Sequence, residues 1–238
     1  MKIIVISIAP YKEKDGVLTA LTEEGPKSFT VRGIYDPKSK NAFLNNPCTI
    51  AEVDLGGGNF KYPLIKASKV LESPLKKSSN YDYIGSISLL VETTKKLLQE
   101  SEQAMMYKHL YAAIYALNHQ EDYLMIDLIY LANCFKVSGL ELEVNRCVNC
   151  GSKKNIKTFS FAEGGFLCEN CITSDTEMFF DKELMLLLRD ACNATDYVHG
   201  SEHLTDENAK NLLLKIQEYV MDAYGMTLNS ISFLTKFR

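Results

Sequence analysis

Five short apolar runs rich in β-branched residues open the chain, at residues 3–8, 17–22, 29–34, 48–55 and 62–67. Turn formers separate them: Asp15-Gly16, Glu24-Gly25-Pro26, Asp36-Pro37, Asn46-Pro47 and Gly56-Gly57-Gly58-Asn59. Short strands at this spacing predict a small closed sheet, and a five-stranded OB-type barrel over residues 1–75 is the leading expectation. The glycine run lacks the Lys-Ser/Thr and the following helix of a phosphate-cradling loop, so it reads as a hairpin turn.

After Ser73-Pro74 and the polar stretch 76–80 the apolar period lengthens from two to about 3.6. Ile84, Ile87, Leu90, Thr94 and Leu97 then share one helical face. Further helices are predicted near 103–118 and 122–137, the latter stopped by Ser138-Gly139, and the three are expected to pack together. Residues 145–173 are rich in Cys, Asn and Gly with little periodicity. Asp181-Lys182 then opens an apolar stretch at 184–192, and Thr205 stands as N-cap of a last amphipathic helix through Ala209, Leu212, Leu213, Ile216 and Val220. The predicted class is α+β: a barrel at 1–75, a helical domain at 80–145 and 176–238, and an insertion at 146–175.

Composition narrows the setting. A chain of 238 residues, 46% apolar and 24% charged, is long enough for two or three compact units. The apolar start at residues 1–9 has one basic residue, Lys2, and no cleavage site after it, and no apolar run approaches the roughly 20 residues of a membrane span, so a soluble, unexported protein is expected. The net charge of −4 is uneven: residues 1–80 hold 12 Lys/Arg against 8 Asp/Glu, and the remainder 14 against 22. Because charges act within about 8–10 Å in physiological salt, a nucleic-acid surface belongs in the first third if there is one.

Seven cysteines divide into two Cys-x-x-Cys pairs and three scattered residues, Cys48, Cys134 and Cys192, which read as core residues of a reduced protein. Cys147, Cys150, Cys168 and Cys171 form two knuckles 17 residues apart. Each knuckle aims two thiolates at one point, and two knuckles close a tetrahedron suited to one structural Zn2+. A single redox pair would not need the second. His119-Gln120-Glu121 ahead of Cys147-Val148-Asn149-Cys150 imitates a zinc-deaminase signature, but Arg146 replaces its proline and two cysteines would be left without a role. No nucleophile signature is present, His109, His199 and His203 are isolated in sequence, and paired acids such as Glu23-Glu24 read as solvated faces.

The order of parts (barrel, helices, four-cysteine insertion, final amphipathic helix) resembles the bacterial recombination-mediator family RecO over essentially the whole chain. Residues 11–25, from Tyr11-Lys12-Glu13-Lys14-Asp15 to Gly25, look like the family's first hairpin. Arg32-Gly33 with Pro37-Lys38-Ser39-Lys40 looks like its basic turn, residues 228–234 like its closing segment, and the cysteine knuckles match. The resemblance implies a non-enzymatic, cytoplasmic, nucleoid-associated protein of DNA repair. It would bind single- and double-stranded DNA, anneal strands and help load recombinase onto strands covered by single-strand-binding protein. It would meet a RecR-type partner through the barrel and the tail of single-strand-binding protein through the helical domain, with Lys108, Lys136 and Arg146 as rims of that pocket. Candidate phosphate contacts are Lys27, Arg32, Lys38, Lys40, Lys61 and Lys66, and candidate stacking rings are Phe29, Tyr35, Phe60 and Tyr62. Ile34-Tyr35-Asp36 stands where the family carries extra arginines, which points to a weak or partner-assisted binder. The competing readings are a zinc-stabilised interaction module without DNA binding and a zinc-dependent deaminase.

Overall fold

The computed structural model describes residues 1–57, 61–173, 176 and 181–236. It divides into two compact units, Met1–Gln120 and Glu121–Arg238.

The first unit begins with β1 (Lys2–Pro10), β2 (Gly16–Thr22), β3 (Gly25–Val31), β4 (Ile50–Gly56) and β5 (Leu64–Glu72). They form a closed barrel in the order β1-β2-β3-β5-β4, with β4 paired back to β1. Every pairing is antiparallel except β3 with β5, which run parallel through Thr30↔Leu64 and Val31↔Ile65. Five strands closed in this way are the OB arrangement that the spacing of the runs predicts. Residues at every second position fill the interior: Ile3 and Val5, Leu18 and Ala20, Phe29 and Val31, Ala51 and Val53. Leu44, on a short 3-10 turn at Ala42–Asn45, adds to this core from the loop between β3 and β4.

β3 starts four residues before the apolar run 29–34, because Glu23 and Glu24 alone make the turn. Thr22 pairs with Gly25 across that turn, its Oγ1 donating to the Gly25 carbonyl at 2.8 Å, and Gly25 takes a φ of +111°. The polar half of the strand, Gly25-Pro26-Lys27-Ser28, carries no apolar signal.

Two helices complete this unit, α1 (Tyr81–Leu97) and α2 (Glu100–His119). Asn80 caps α1 by accepting from the Tyr83 amide at 3.1 Å, and Glu102 accepts from the Gln99 amide at 2.7 Å at the start of α2. α2 packs on β2, β3 and β5. Its far end is tied down by polar contacts: Asn118 donates to Glu72 at 2.7 Å and accepts from the Tyr83 hydroxyl at 2.6 Å, while Lys77 donates to the carbonyls of Leu117 and Gln120. A cation on the last carbonyls of a helix satisfies orphan acceptors and opposes the negative end of its dipole.

The second unit opens with α3 (Tyr123–Val137), in which every residue from Tyr123 to Leu131 is buried. An all-round apolar helix belongs in a core. It ends at Gly139, φ +80°, as the sequence predicts. Three short strands follow, β6 (Glu143–Cys147), β7 (Ile156–Ser160) and β8 (Gly165–Cys168), in the order β6-β8-β7. The sequence showed this stretch only as aperiodic, since strands of four or five residues are too short to display an alternation. α4 (Lys182–Asn193) is capped by Asp181 at 2.9 Å and α5 (Asp206–Tyr224) by Thr205 at 3.1 Å, and α6 (Asn229–Lys236) packs on α5. α4 and α5 pack on α3 and on each other.

Gly165 marks the tightest contact in this small sheet. A Cβ there would stand 2.6 Å from the Glu143 carbonyl oxygen and 2.9 Å from the Glu143 Cβ. Gly165→Ala is therefore expected to push β6 and β8 apart and to destabilise the second unit by about 1–3 kcal/mol. Thermal unfolding by circular dichroism, compared with the unaltered chain, checks this.

Candidate metal centre and nucleic-acid interface

Cys147 ends β6 and Cys168 ends β8. These strands are neighbours and run parallel, with Cys147 in register with Phe166, so the chain leaves both strands on the same side. Each exit turns at once. Gly151, φ +73°, donates its amide to the Cys147 carbonyl at 2.8 Å and so folds Cys150 back over Cys147. Cys171 closes a short 3-10 turn at Glu169–Cys171. The result brings the sulfurs of Cys147, Cys150, Cys168 and Cys171 within 4.8 Å of one another, with Cys150 and Cys168 at 3.5 Å. A tetrahedral ion with bonds of about 2.3 Å needs sulfurs about 3.8 Å apart. The cluster fits a metal ion. Cys147 and Cys168 are buried beside Leu167, with Ile156 and Ile172 packed against them, so the inner ligands sit in an apolar bed.

The protonation of the thiols points the same way. Burial pushes the Cys147 thiol up, but the amides of Cys168, Cys150 and Asn149 outweigh it and hold Cys147 at about 6. Cys171 is pushed up to about 12 by the neighbouring thiols of Cys150, Cys147 and Cys168. The pocket thus accommodates one thiolate and resists another. A divalent cation reverses that balance, because its charge favours all four ionised sulfurs together. Four sulfur ligands would fill a tetrahedral shell and leave no position for a substrate. His119 and Glu121 are no part of the cluster. His119 lies on α2, its Nδ1 2.7 Å from the Tyr115 carbonyl and its ring stacked on Tyr115. All seven cysteines are free of disulfides; Cys48 and Cys134 are fully buried, and Cys192 is half-buried.

On the barrel, the loop between β1 and β2 and the turn after β3 are stitched together. The Gly33 amide donates to Asp15 at 2.9 Å, the Tyr35 amide to the Lys14 carbonyl at 3.2 Å, and Lys14 pairs with Asp36 at 3.2 Å. The Lys38 amide, followed by Lys14, holds the Asp36 carboxyl below the usual carboxylate range. These links set Lys12 and Lys14 beside the turn that carries Arg32, Lys38 and Lys40, all three of which are exposed. Tyr11, 48% exposed, lies 5.4 Å from the Lys12 ammonium. Tyr11, Lys12 and Lys14 were not singled out as contacts from the sequence; their place in the first barrel loop was the available signal, since OB folds bind ligands along strands 2 and 3 and the loops between strands 1 and 2 and strands 4 and 5.

The other candidates are scattered. Lys27 is half-buried on β3 and ion-paired with Glu24. Lys61 is exposed with its ammonium 5.2 Å from the ring of half-buried Tyr62, and Lys66 is exposed on β5. Tyr35 packs against the barrel core. Phe29 corrects the sequence reading: it is 1% exposed inside the barrel, so its ring offers no face to a base. Phe60 lies outside the described residues. Of the pocket rims, Lys136 pairs with Glu141 at 3.2 Å and Arg146 with Glu143 at 2.8 Å, while Lys108 is exposed on α2.

Among the described residues no helix is long and apolar enough to cross a membrane. A family model described as "Recombination protein O C terminal" matches residues 78–230. The chain is also similar to proteins named DNA repair protein RecO. That of Oceanobacillus iheyensis is 26% identical over 93% of this chain and 86% of the relative. That of Halalkalibacterium halodurans is 26% identical over 97% and 92%, and that of Bacillus cereus 23% identical over 97% and 94%.

The metal centre is testable directly. Cys168→Ser is expected to lower bound metal and to loosen the second unit while leaving the barrel folded, because every ligand lies outside residues 1–120. Metal analysis with limited proteolysis reads both effects. Acidification should release the ion, since each thiolate must take up a proton as pH falls. A chromophoric chelator follows that release, and metal retention that does not change with pH would contradict it.

Proposed function

This chain belongs to the recombination protein O family, and we propose that it acts in DNA repair as a recombination mediator that binds DNA without catalysing a covalent step. The observation that carries this reading is the similarity to DNA repair proteins over both units, 93–97% of the chain. It is supported by an OB-type barrel within the part of the chain that holds 12 Lys/Arg against 8 Asp/Glu.

In this reading single-stranded DNA lies along the stitched loops, with Lys12, Lys14, Arg32, Lys38 and Lys40 on phosphates and Tyr11 and Tyr62 on bases. Lys61 and Lys66 extend the track. Phosphate contacts give affinity without sequence preference, and stacking tolerates any base. Asp36 sits inside the basic turn and takes up Lys14, which lowers the net positive charge there and favours weak or partner-assisted binding. Two strands held by such contacts can anneal, and the same property would serve loading of recombinase onto strands covered by single-strand-binding protein. A RecR-type partner is assigned to the barrel and the tail of single-strand-binding protein to the helical part. The cysteine cluster holds one structural Zn2+, the divalent ion best matched to four soft, tetrahedral sulfurs. It clamps residues 146–175 as an insertion in that helical part. The protein works in the cytoplasm, at the nucleoid.

Fluorescence anisotropy of labelled single-stranded DNA over a salt series tests this. Each phosphate contact contributes about 0.7 to the slope of log K against log salt. Replacing Arg32, Lys38 and Lys40 by Ala together should therefore lower the slope by about 2. Absence of DNA binding and of strand annealing at low salt would remove the reading. Intact binding of the single-strand-binding-protein tail under those conditions would favour the interaction module instead.

A further inference from the structure

Two aromatic rings meet at the surface of the second unit. Phe161 stands in the turn between β7 and β8, where the Gly164 amide donates to the Phe161 carbonyl at 3.1 Å and the Glu143 amide to the Gly164 carbonyl at 2.9 Å. Tyr219 stands on α5, and its ring lies on that of Phe161 with centroids 4.5 Å apart and planes 12° from parallel. Both residues are half-buried. With half-buried Leu140 and exposed Val148 they give a groove of about 1000 Å3 its apolar surface. Carboxylates line it as well: Glu141, Glu143, Glu163, Glu218 and Asp222, with Lys215 as the one cation among the described lining residues.

Three of these acids are already matched, Glu141 by Lys136, Glu143 by Arg146 and Glu218 by Lys215. Glu163 and Asp222 are exposed and have no ion-pair partner among the described residues. Each accompanies one of the rings: Glu163 follows Phe161 in the turn, and Asp222 follows Tyr219 by one turn of α5, on the same helical face. An apolar surface rimmed by polar groups has the form of an interaction site. The unmatched negative charge repels a phosphate backbone and selects a cation. A guanidinium suits rings and carboxylates together, since its plane stacks on an aromatic and its fork meets a carboxylate with two hydrogen bonds. Leu140 and Val148 give apolar side chains a place that a small polyamine would leave unused. The unit's other groove, between α4 and the small sheet, would turn such a ligand away, because Lys153, Lys157, Lys182 and Arg189 line it and no acid among the described residues does.

We propose that this groove docks an arginine-bearing segment of a partner protein, with apolar side chains between its arginines. The guanidinium groups pair with Glu163 and Asp222 and pack on the Phe161 and Tyr219 rings, and the apolar side chains rest on Leu140 and Val148. This contact goes beyond DNA binding by the barrel and does not depend on it.

The test uses the full metal-loaded chain and a fluorescein-labelled peptide in which arginines flank two leucines. Control peptides replace arginine by glutamate, arginine by lysine, or leucine by serine. Saturable binding of the first peptide is expected, weakened about tenfold or more by the glutamate and serine controls and by the double variant Glu163→Lys/Asp222→Lys. The lysine peptide should bind about threefold more weakly, because an ammonium does not stack or fork. Metal content and the thermal melt of the double variant should match the parent, and the barrel variant with Arg32, Lys38 and Lys40 replaced by Ala should bind the peptide as the parent does. Unchanged peptide affinity in Glu163→Lys/Asp222→Lys overturns the groove as the site. Equal affinity for the lysine peptide overturns the assignment to arginine, and displacement of the peptide by spermidine at equal affinity makes the groove a polyamine site instead. Self-association of the parent in sedimentation velocity that the double variant abolishes makes it a contact between copies of this chain and also overturns the proposal. Failure of the parent to bind the peptide while it binds DNA rejects the proposal without touching the barrel.

Discussion

Four sulfurs held within 4.8 Å of one another are tolerable as thiols and prohibitive as thiolates, unless a cation sits among them. Much of the second unit is arranged around that constraint. The parallel pairing of β6 and β8 places Cys147 and Cys168 side by side, and the turns through Gly151 and at Glu169–Cys171 fold the outer thiols over them. The sheet itself is too small to bury a core of its own: the apolar residues around Cys147 and Cys168 are Leu167, Ile156 and Ile172. A segment of this size would be held by a bound metal more than by hydrophobic burial. α4 packs on β6 and β7, so the sheet that carries two of the four cysteines is joined to the helices of this unit.

The barrel obeys a different constraint. Closure through the parallel β3–β5 pair removes its edges, and alternate residues from all five strands fill the interior. The two hydrogen bonds and the ion pair that join residues 14, 15, 33, 35 and 36 gather several lysines on one side, with Asp36 among them. A basic surface built this way is weaker than its count of cations suggests, because one carboxylate is held ionised inside it. The barrel loops collect positive charge, whereas the second unit is acidic, with 11 Lys/Arg against 18 Asp/Glu in residues 121–238.

The apolar alternation, the cysteine spacing and the caps were legible without any structure. Runs of two-residue period are set by which face of a strand is buried, so five of them with turn formers between predict five short strands. Two Cys-x-x-Cys pairs carry their geometry in their spacing, and Thr205 caps its helix through a local hydrogen bond. Such features depend on residues within a few positions of one another, and the sequence by itself determined them.

The rest depended on distant residues meeting. The interior position of Phe29 follows from its register with Leu18, which no local pattern reveals. The parting of the compact units between Gln120 and Glu121 reflects the end of α2 being tied to Glu72 of β5 and to Lys77, contacts 40 or more residues apart in the chain. Lys153, Lys157, Lys182 and Arg189 drew no reading from the sequence, and only the meeting of the small sheet with α4 brings them to line one groove. Local sequence decides which elements form and which side of each is apolar; only tertiary packing decides which charges end up facing one another, because that depends on separations through space.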